Sequence, residues 1–331
     1  MKKKLFCLRI FPVLIILLFI YSCNKEKEYE IQKTEVNLSN SISIEFERLT
    51  PYSVTIKDQT AIIDFVESAQ RFSLDLSKKD NEQMIDLINH SMMMENPIKV
   101  SINKNSTEIL KAEELSEAEI SSYKTLFVKQ DNSGISNKIL GINAASIIPN
   151  EATLISLFNI IKNRTCNSST ATPPADPCIT FWYVVDGCYA RAHKMRQLLI
   201  ANGYDCQKQF VYGNLTVSTG SCCVAWGYHV APLVQFRNSS GKIEERIIDP
   251  SLFPSGPVTP STWRNGCINT SCDRTASIIG YVTTPGDVYL RHPTAGTARY
   301  DNSYVSTNCI LTAYRNYFGC NPSLPPSTSC F

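Results

Sequence analysis

The chain has 331 residues, 32 Lys and Arg against 30 Asp and Glu, and a formal net charge of +2, with no basic cluster interleaved with aromatics to serve as a nucleic-acid footprint. Of its 13 cysteines, two fall in residues 1–23, none in 24–144 and 11 in 145–331; the net charge is −6 over 24–144 and +4 over 145–331. An acidic, cysteine-free stretch followed by a basic, cysteine-rich one predicts two domains with complementary fields, and excludes a chain too small to build proper cores.

Residues 1–23 read as a targeting segment. Lys2, Lys3, Lys4 and Arg9 precede an apolar run from Ile10 to Ile20 that is short for a membrane span. Ile20-Tyr21-Ser22-Cys23 resembles a bacterial lipobox, in which Cys23 is lipidated and becomes the first residue; ordinary secretion with cleavage near Ser22 is the alternative. The charges from Lys25 to Glu28 form a solvated tether and resemble a surface-export signal, which leaves both faces of the outer membrane open. Either side is oxidising and permits disulfides. The expectation is an exported chain that meets the membrane only through its N-terminal lipid.

Residues 24–144 read as α+β. Ser41–Phe46 and Pro97–Asn103 alternate as strands. Between them Asp80–Met94 carries Met84, Leu87, Ile88 and Met92 at helical spacing, and Met92–Met94 reads as core filler rather than a metal or cofactor site. Ser116 with Glu119 forms a capping box opening a helix through Leu126, and His90 reads as structural. Residues 129–138 are polar and turn-rich, an exposed linker of the kind proteases cut.

The second domain, 145–331, opens with Asn150 as N-cap of a helix bearing Leu154, Leu157, Phe158 and Ile161. A proline-rich loop, Thr172–Pro177, leads to Cys178 and an apolar strand predicted over Ile179–Val185. Asp186-Gly187 then turns the chain into a helix whose buried stripe is Cys188, Ala192, Met195 and Leu199, with Gly203 at its end. A thiol in a first helical turn feels the positive end of the dipole and unpaired N–H groups, which favour thiolate. Taken alone, Cys188 is as readily a half-cystine.

Three strands follow, Gln207–Tyr212, Cys223–Phe236 and Ile243–Ile248, the last two joined by the polar hairpin connection Arg237–Lys242. A turn centred near Ser239–Ser240 brings His229 within about one position of direct pairing with Asp249, and that one-residue margin decides whether they share a face. Same-face neighbours have Cβ atoms roughly 5 Å apart, close enough for an imidazole–carboxylate hydrogen bond. His193, five residues beyond Cys188, is expected off the helix's buried face, at the surface or as a cap. His292, before Pro293, has no carboxylate placed near it by local geometry.

Cysteine, histidine and aspartate on helix, strand and strand suit a papain- or transglutaminase-like core. The thiolate attacks a carbonyl or carboxamide, the histidine accepts its proton, the aspartate fixes the tautomer, and N–H groups at the head of the helix, including that of Cys188, stabilise the oxyanion. Eleven cysteines leave one unpaired. Parity permits five disulfides among Cys166, Cys178, Cys206, Cys222, Cys223, Cys267, Cys272, Cys309, Cys320 and Cys330, in a connectivity the sequence does not give. Vicinal Cys222 and Cys223 should take different partners, since bonding each other closes a strained ring. A zinc site at Cys267 and Cys272 lacks a second pair, and no Asp-x-Asp loop suggests calcium, so neither metal nor cofactor is expected. These residues alone reach a Cys-His-Asp acyl-transfer enzyme. Deamidase, transglutaminase and cysteine peptidase stay open, as does a non-catalytic surface adhesin.

The runs DGCYARAHKMRQLL, GYDCQKQFVYGNL, STGSCCVAWGYHVA, RIIDPSLF, SGPVT and YDN…TNC closely resemble bacterial protein-glutaminase, over nearly all of 145–331. The resemblance implies an α+β catalytic domain, disulfide-rich, with a transglutaminase-like core, a helix-borne cysteine and an antiparallel sheet. It implies deamidation of glutamine side chains in proteins and peptides, with release of ammonia, by Cys188, His229 and Asp249. Family members are made as inactive zymogens, and 24–144 resembles, more thinly, their smaller α+β pro-region. There ESAQRF, Glu67–Phe72, aligns with the segment that lodges in the cleft, so Ala69 and Gln70 would mimic substrate, with Gln70 presented to the cysteine. The implied partners are protein or peptide substrates with accessible glutamine, the chain's own pro-region as inhibitor, and an activating protease. Processing near Ala144–Ala145 would release the catalytic domain from its lipid.

Overall fold

A computed structural model describes residues 43–103, 106–129, 147–166, 177–219, 222–320 and 330–331. The targeting segment with Cys23, most of the 129–138 linker, the processing point at Ala144–Ala145 and most of the Thr172–Pro177 loop lie outside the described residues. Among the described residues no helix is long and apolar enough to cross a membrane.

The first region runs β1 (Ser43–Leu49), β2 (Pro51–Lys57), β3 (Thr60–Phe65), β4 (Ser68–Asp75), α1 (Asn81–Met94), β5 (Ile98–Asn103), β6 (Ile109–Glu114), α2 (Glu117–Lys124) and β7 (Phe127–Lys129). The second runs α3 (Glu151–Lys162), α4 (Cys188–Ala201), β8 (Gln207–Ser218), β9 (Cys223–Arg237), β10 (Ile243–Ile247), α5 (Pro260–Gly266), β11 (Ser277–Pro285), β12 (Val288–Arg291), β13 (Thr297–Tyr300) and α6 (Val305–Tyr314). Mixed helix and antiparallel sheet make this the expected α+β class.

Local chemistry accounts for the helix starts. Ser116 and Glu119 exchange side-chain and backbone hydrogen bonds as a capping box on α2, which stops at Lys124, short of the expected Leu126. Asn150 Oδ1 accepts from the Thr153 N–H, 2.8 Å away, and starts α3.

Each region has its own apolar core. In the first, Phe46, Phe65, Phe72, Ile88 and Val100 are buried among β1, β3–β5 and α1. In the second, α3, α4 and α6 surround β8 and β9, and that core also takes in Val66 and Ala69 from the tip of the β3–β4 hairpin. One sheet runs β11-β8-β9-β4-β3-β2, with β10 on β9, so the hairpin extends the second region's sheet. It does so through a single antiparallel pair, Gln70 opposite Trp226.

Four expectations need correction. Met92–Met94 is not core filler, since Met93 and Met94 are exposed at the end of α1, outside the first region's apolar core. Ile179–Val185 is not a strand, and only Ile179 and Tyr183 make isolated bridges. Its last three carbonyls are taken by side chains instead: Arg191 donates to Tyr183 O, and Trp226 Nε1 donates to Val184 O and Val185 O. His193 is not at the surface. It is fully buried because the first turns of α4 are covered by β9, β12 and α6 rather than presenting a polar face. The disulfides number four among the described residues, Cys166–Cys178, Cys222–Cys320, Cys223–Cys272 and Cys309–Cys330. Cys206 and Cys267 are buried thiols instead. Cys206 lies beside the Arg196–Asp205 ion pair, whereas Cys267 ends α5 and donates to the Trp263 carbonyl, so each thiol is a small core residue in its own place. The vicinal cysteines do take different partners.

Candidate active site

Three elements meet at Cys188. Gly187 caps α4 with φ 76°, and a Cβ there would stand 3.0 Å from the Tyr314 ring, so the turn needs glycine. Asp186 Oδ1 accepts from the Gly187 N–H at 2.7 Å, and buried Arg191 grips the carbonyls of Tyr183 and Asp186 at 2.7 and 2.6 Å. The loop is thereby fixed before the helix begins. Cys188 is buried, and the Val230 backbone on β9 favours its thiolate form. Burial chiefly, with the nearby Asp186 carboxylate adding to it, pushes the thiol up to about 12 against the pull of Arg191.

His229 precedes Val230 and lies within the sheet. The β9–β10 register pairs Ile247 with Leu233, and extending it sets Asp249 opposite Ala231, two residues from His229 and therefore on its face. His229 Nε2 lies 2.8 Å from Asp249 Oδ2. Asp249 also accepts from Trp263 Nε1 at 2.8 Å and from the Ser251 hydroxyl. Burial alone would raise this carboxyl; the charge and hydrogen bond of His229, with those of Ser251 and Trp263, outweigh it and hold the group well below the usual carboxylate range. An ionised Asp249 places the imidazole proton on Nε2 and leaves Nδ1 as a bare acceptor. Nδ1 is buried with no hydrogen-bond partner. The ring is sandwiched between Trp226, at 4.6 Å and 13°, and Trp263, at 5.4 Å and 28°. The arrangement holds a proton acceptor on the strand that packs against the helix of Cys188, and the base cannot swing away.

Sequence reasoning named Cys188, His229 and Asp249 as candidates but gave no such part to Trp226, Trp263 or Asp186. Trp226 carried a weak signal, three residues before the histidine; Trp263 lies 14 residues beyond Asp249, and nothing local marks it as the carboxylate's donor. Of the other histidines, His90 is exposed on α1. Buried His292 accepts at Nδ1 from the Thr294 hydroxyl and the Ala295 N–H, and stands edge-on to Tyr52.

The β3–β4 hairpin covers this ground. Asp186 Oδ2 accepts from Ser68 Oγ at 2.7 Å, and its Oδ1 accepts from the Ala69 N–H at 2.9 Å. Gln70 is 3% exposed, and its Nε2 is buried without a partner. Tyr228 donates its hydroxyl to Val66 O at 3.1 Å. Gly227 on β9 admits the hairpin closely, since a Cβ there would lie 2.5 Å from the Tyr52 hydroxyl and 2.7 Å from the Asp64 carboxyl carbon.

Comparison with known proteins gives a coherent answer. Residues 154–267 match a family described as Glutaminase. A crystal structure of pro-protein-glutaminase is 48% identical, with TM-score 0.77, over 87% of this chain and 98% of that one. A crystal structure of protein-glutaminase is 61% identical, with TM-score 0.53, over 56% of this chain and 97% of that one. The NMR structure of protein-glutaminase from Chryseobacterium proteolyticum is also 61% identical, with TM-score 0.51, over 56% and 97% of the two chains. No curated protein matches.

Proposed function

Because this chain belongs to the protein-glutaminase family, and is a protein-glutamine deamidase made as a zymogen, we infer that Cys188, His229 and Asp249 carry out its chemistry. The observation that carries the assignment is the unfilled Nδ1 of His229, fixed by Asp249 one residue before Val230, whose backbone favours the Cys188 thiolate.

His229 Nδ1 takes the thiol proton as the sulfur attacks the carboxamide carbon of a glutamine side chain. N–H groups at the head of α4 receive the oxyanion. The tetrahedral adduct collapses to a thioester, and the proton on Nδ1 leaves with the amide nitrogen as ammonia. Water then gives a proton to His229 and its oxygen to the acyl carbon, and the proton returns to sulfur as glutamate departs. Asp249 holds the tautomer throughout.

The boundaries assigned are a signal over 1–23, an inhibitory pro-region over 24–144 and a catalytic domain over 145–331, with processing near Ala144–Ala145 by an activating protease. Lipidation of Cys23 after export would anchor the zymogen to the outer membrane, and processing would detach the catalytic domain. The strand Ser68–Arg71 runs where substrate runs. Asp186 takes the N–H of Ala69, and Asp186 is two residues from the nucleophile, so the target glutamine belongs at Ala69's place rather than, as expected from the sequence, at Gln70, which is the next residue along the strand. Alanine there offers the sulfur no carboxamide. Inhibition is also chemical: a filled, dry cleft holds the thiol protonated, and losing the hairpin readmits water and frees two acceptor sites on Asp186.

The test is ammonia release from glutamine peptides before and after limited proteolysis of the full chain, beside Cys188→Ala. Expected is release after trimming only, abolished in the variant. New peptide termini, amine cross-linking in preference to hydrolysis, or persistent activity in Cys188→Ala would each overturn the assignment.

A further inference from the structure

We propose that Asn214, backed by Asp273, is a specificity subsite for a cationic side chain two residues C-terminal to the target glutamine. The proposal rests on the reading that the target takes Ala69's place.

Arg71 stands two residues beyond Ala69 on β4. Its guanidinium reaches across to the catalytic region, where Nη1 donates to Asn214 Oδ1. Its other contacts stay within the pro-region, Nε to Asp64 Oδ1 at 2.9 Å and Nη2 to Asp64 Oδ2 at 3.3 Å. What the catalytic region offers this side chain is therefore Asn214, and the amide's orientation is not free. Asn214 Nδ2 gives its hydrogens to Asp273 Oδ2 at 2.8 Å and Thr275 Oγ1 at 3.0 Å, so Oδ1 faces the cleft as a pure acceptor.

Behind the amide sits a fixed negative charge. Asp273 Oδ1 accepts from the Thr275 N–H and hydroxyl, each at 2.8 Å, and these bonds with that of Asn214 hold its carboxyl at about 2, ionised at any working pH. The pro-region sets Lys57 near the same carboxylate, so two of its cations converge on one corner. The corner is a product of strand geometry. The β8–β9 register shifts between Tyr212 and Leu215, and Gly213, at φ 151°, takes a position where a Cβ would lie 2.2 Å from Ser277 O. Such a bulge re-aims the following side chain, here Asn214. When the pro-region leaves, Asp64 leaves with it, and an outward-facing acceptor with an anion behind it remains, two residues along the substrate path.

The experiment uses full chain activated by limited proteolysis and single-glutamine peptides with Arg, Lys, Ala or Glu at +2, together with Arg at +1 or +3. Ammonia release gives kcat/KM. Arg and Lys at +2 should exceed Ala by about fivefold, the scale of one charge-assisted contact near solvent, with Glu below Ala. Salt should shrink the difference. Asn214→Ala and Asp273→Asn should bring the Arg-to-Ala ratio to about one, and Asp273→Lys should turn the preference toward Glu. Because Asn214→Ala removes a bulge contact, the two Asp273 variants keep the test sharp if it folds poorly. A flat +2 series, a maximum at +1 or +3, or an Arg-to-Ala ratio unmoved by both Asp273 variants overturns the subsite while deamidation stands. No Cys188-dependent release from any peptide takes down the functional assignment and the subsite together.

Discussion

His193 and His229 are equally removed from water, at 0% and 1% exposure, and differ in how their nitrogens are spent. His193 is closed: Nδ1 accepts from Lys208 Nζ at 2.7 Å, and Nε2 donates to Asp301 O at 3.1 Å. His229 has one nitrogen committed to Asp249 and the other empty. Burial and aromatic neighbours are common to both. On the proposed mechanism, the unfinished hydrogen-bond set is what separates a proton carrier from a buried strut.

The largest effect should come from Asp249→Asn, which keeps shape but lets the imidazole take the wrong tautomer; kcat for ammonia release should fall about 10³–10⁴-fold, the scale seen for the same change in serine protease triads. A loss under tenfold would erase the distinction between the two histidines. Next is the thiol of Cys188. In the intact chain, with Cys188 pushed up to about 12, alkylation by iodoacetamide should be slow, and trimming should speed it on the order of 100-fold while buried Cys206 and Cys267 stay silent. Equal rates before and after trimming would disprove chemical latency.

His193→Gln should cost stability rather than chemistry: about 2–3 kcal/mol by urea unfolding, from leaving buried Lys208 short of an acceptor, with kcat of the folded fraction within about threefold. A kcat loss matching that of His229→Gln would contradict the closed role. The smallest effect is in pH. Burial pushes Lys208 down to about 7, so between there and the ordinary lysine value the unfolded chain binds a proton that the folded chain lacks. Stability relative to Lys208→Met should therefore rise from pH 7 toward pH 9, and be flat below pH 7 as far as this group is concerned. Unfolding curves at pH 6, 7.5 and 9 read it directly, and a difference that stays flat across them would show that the lysine is charged and satisfied in place.

Much of this was legible in the chain. Asp186-Gly187, the four-three-four stripe from Cys188 to Leu199 and the β9–β10 hairpin are local patterns, and each governs its own geometry. The offset between His229 and Asp249 was known only to about a residue, because a six-residue connection does not fix its own centre; the register settles the shared face. Ile179–Val185 misled because a buried apolar run reads alike in a strand and in a loop whose last three carbonyls Arg191 and Trp226 satisfy from afar. The clamp of Trp226 and Trp263 on the imidazole joins β9 to α5, and Ser68 meets Asp186 across 118 residues. No local period encodes such meetings.

That sequence separation of 118 residues also orders events in time. A chain exported from its N-terminus delivers the β3–β4 hairpin first, and the loop bearing Asp186 follows 118 residues behind it. With an apolar core of its own, the first region can fold in that interval. The plug is thus ready before the socket exists, and a newborn Cys188 closes around a strand already waiting for it.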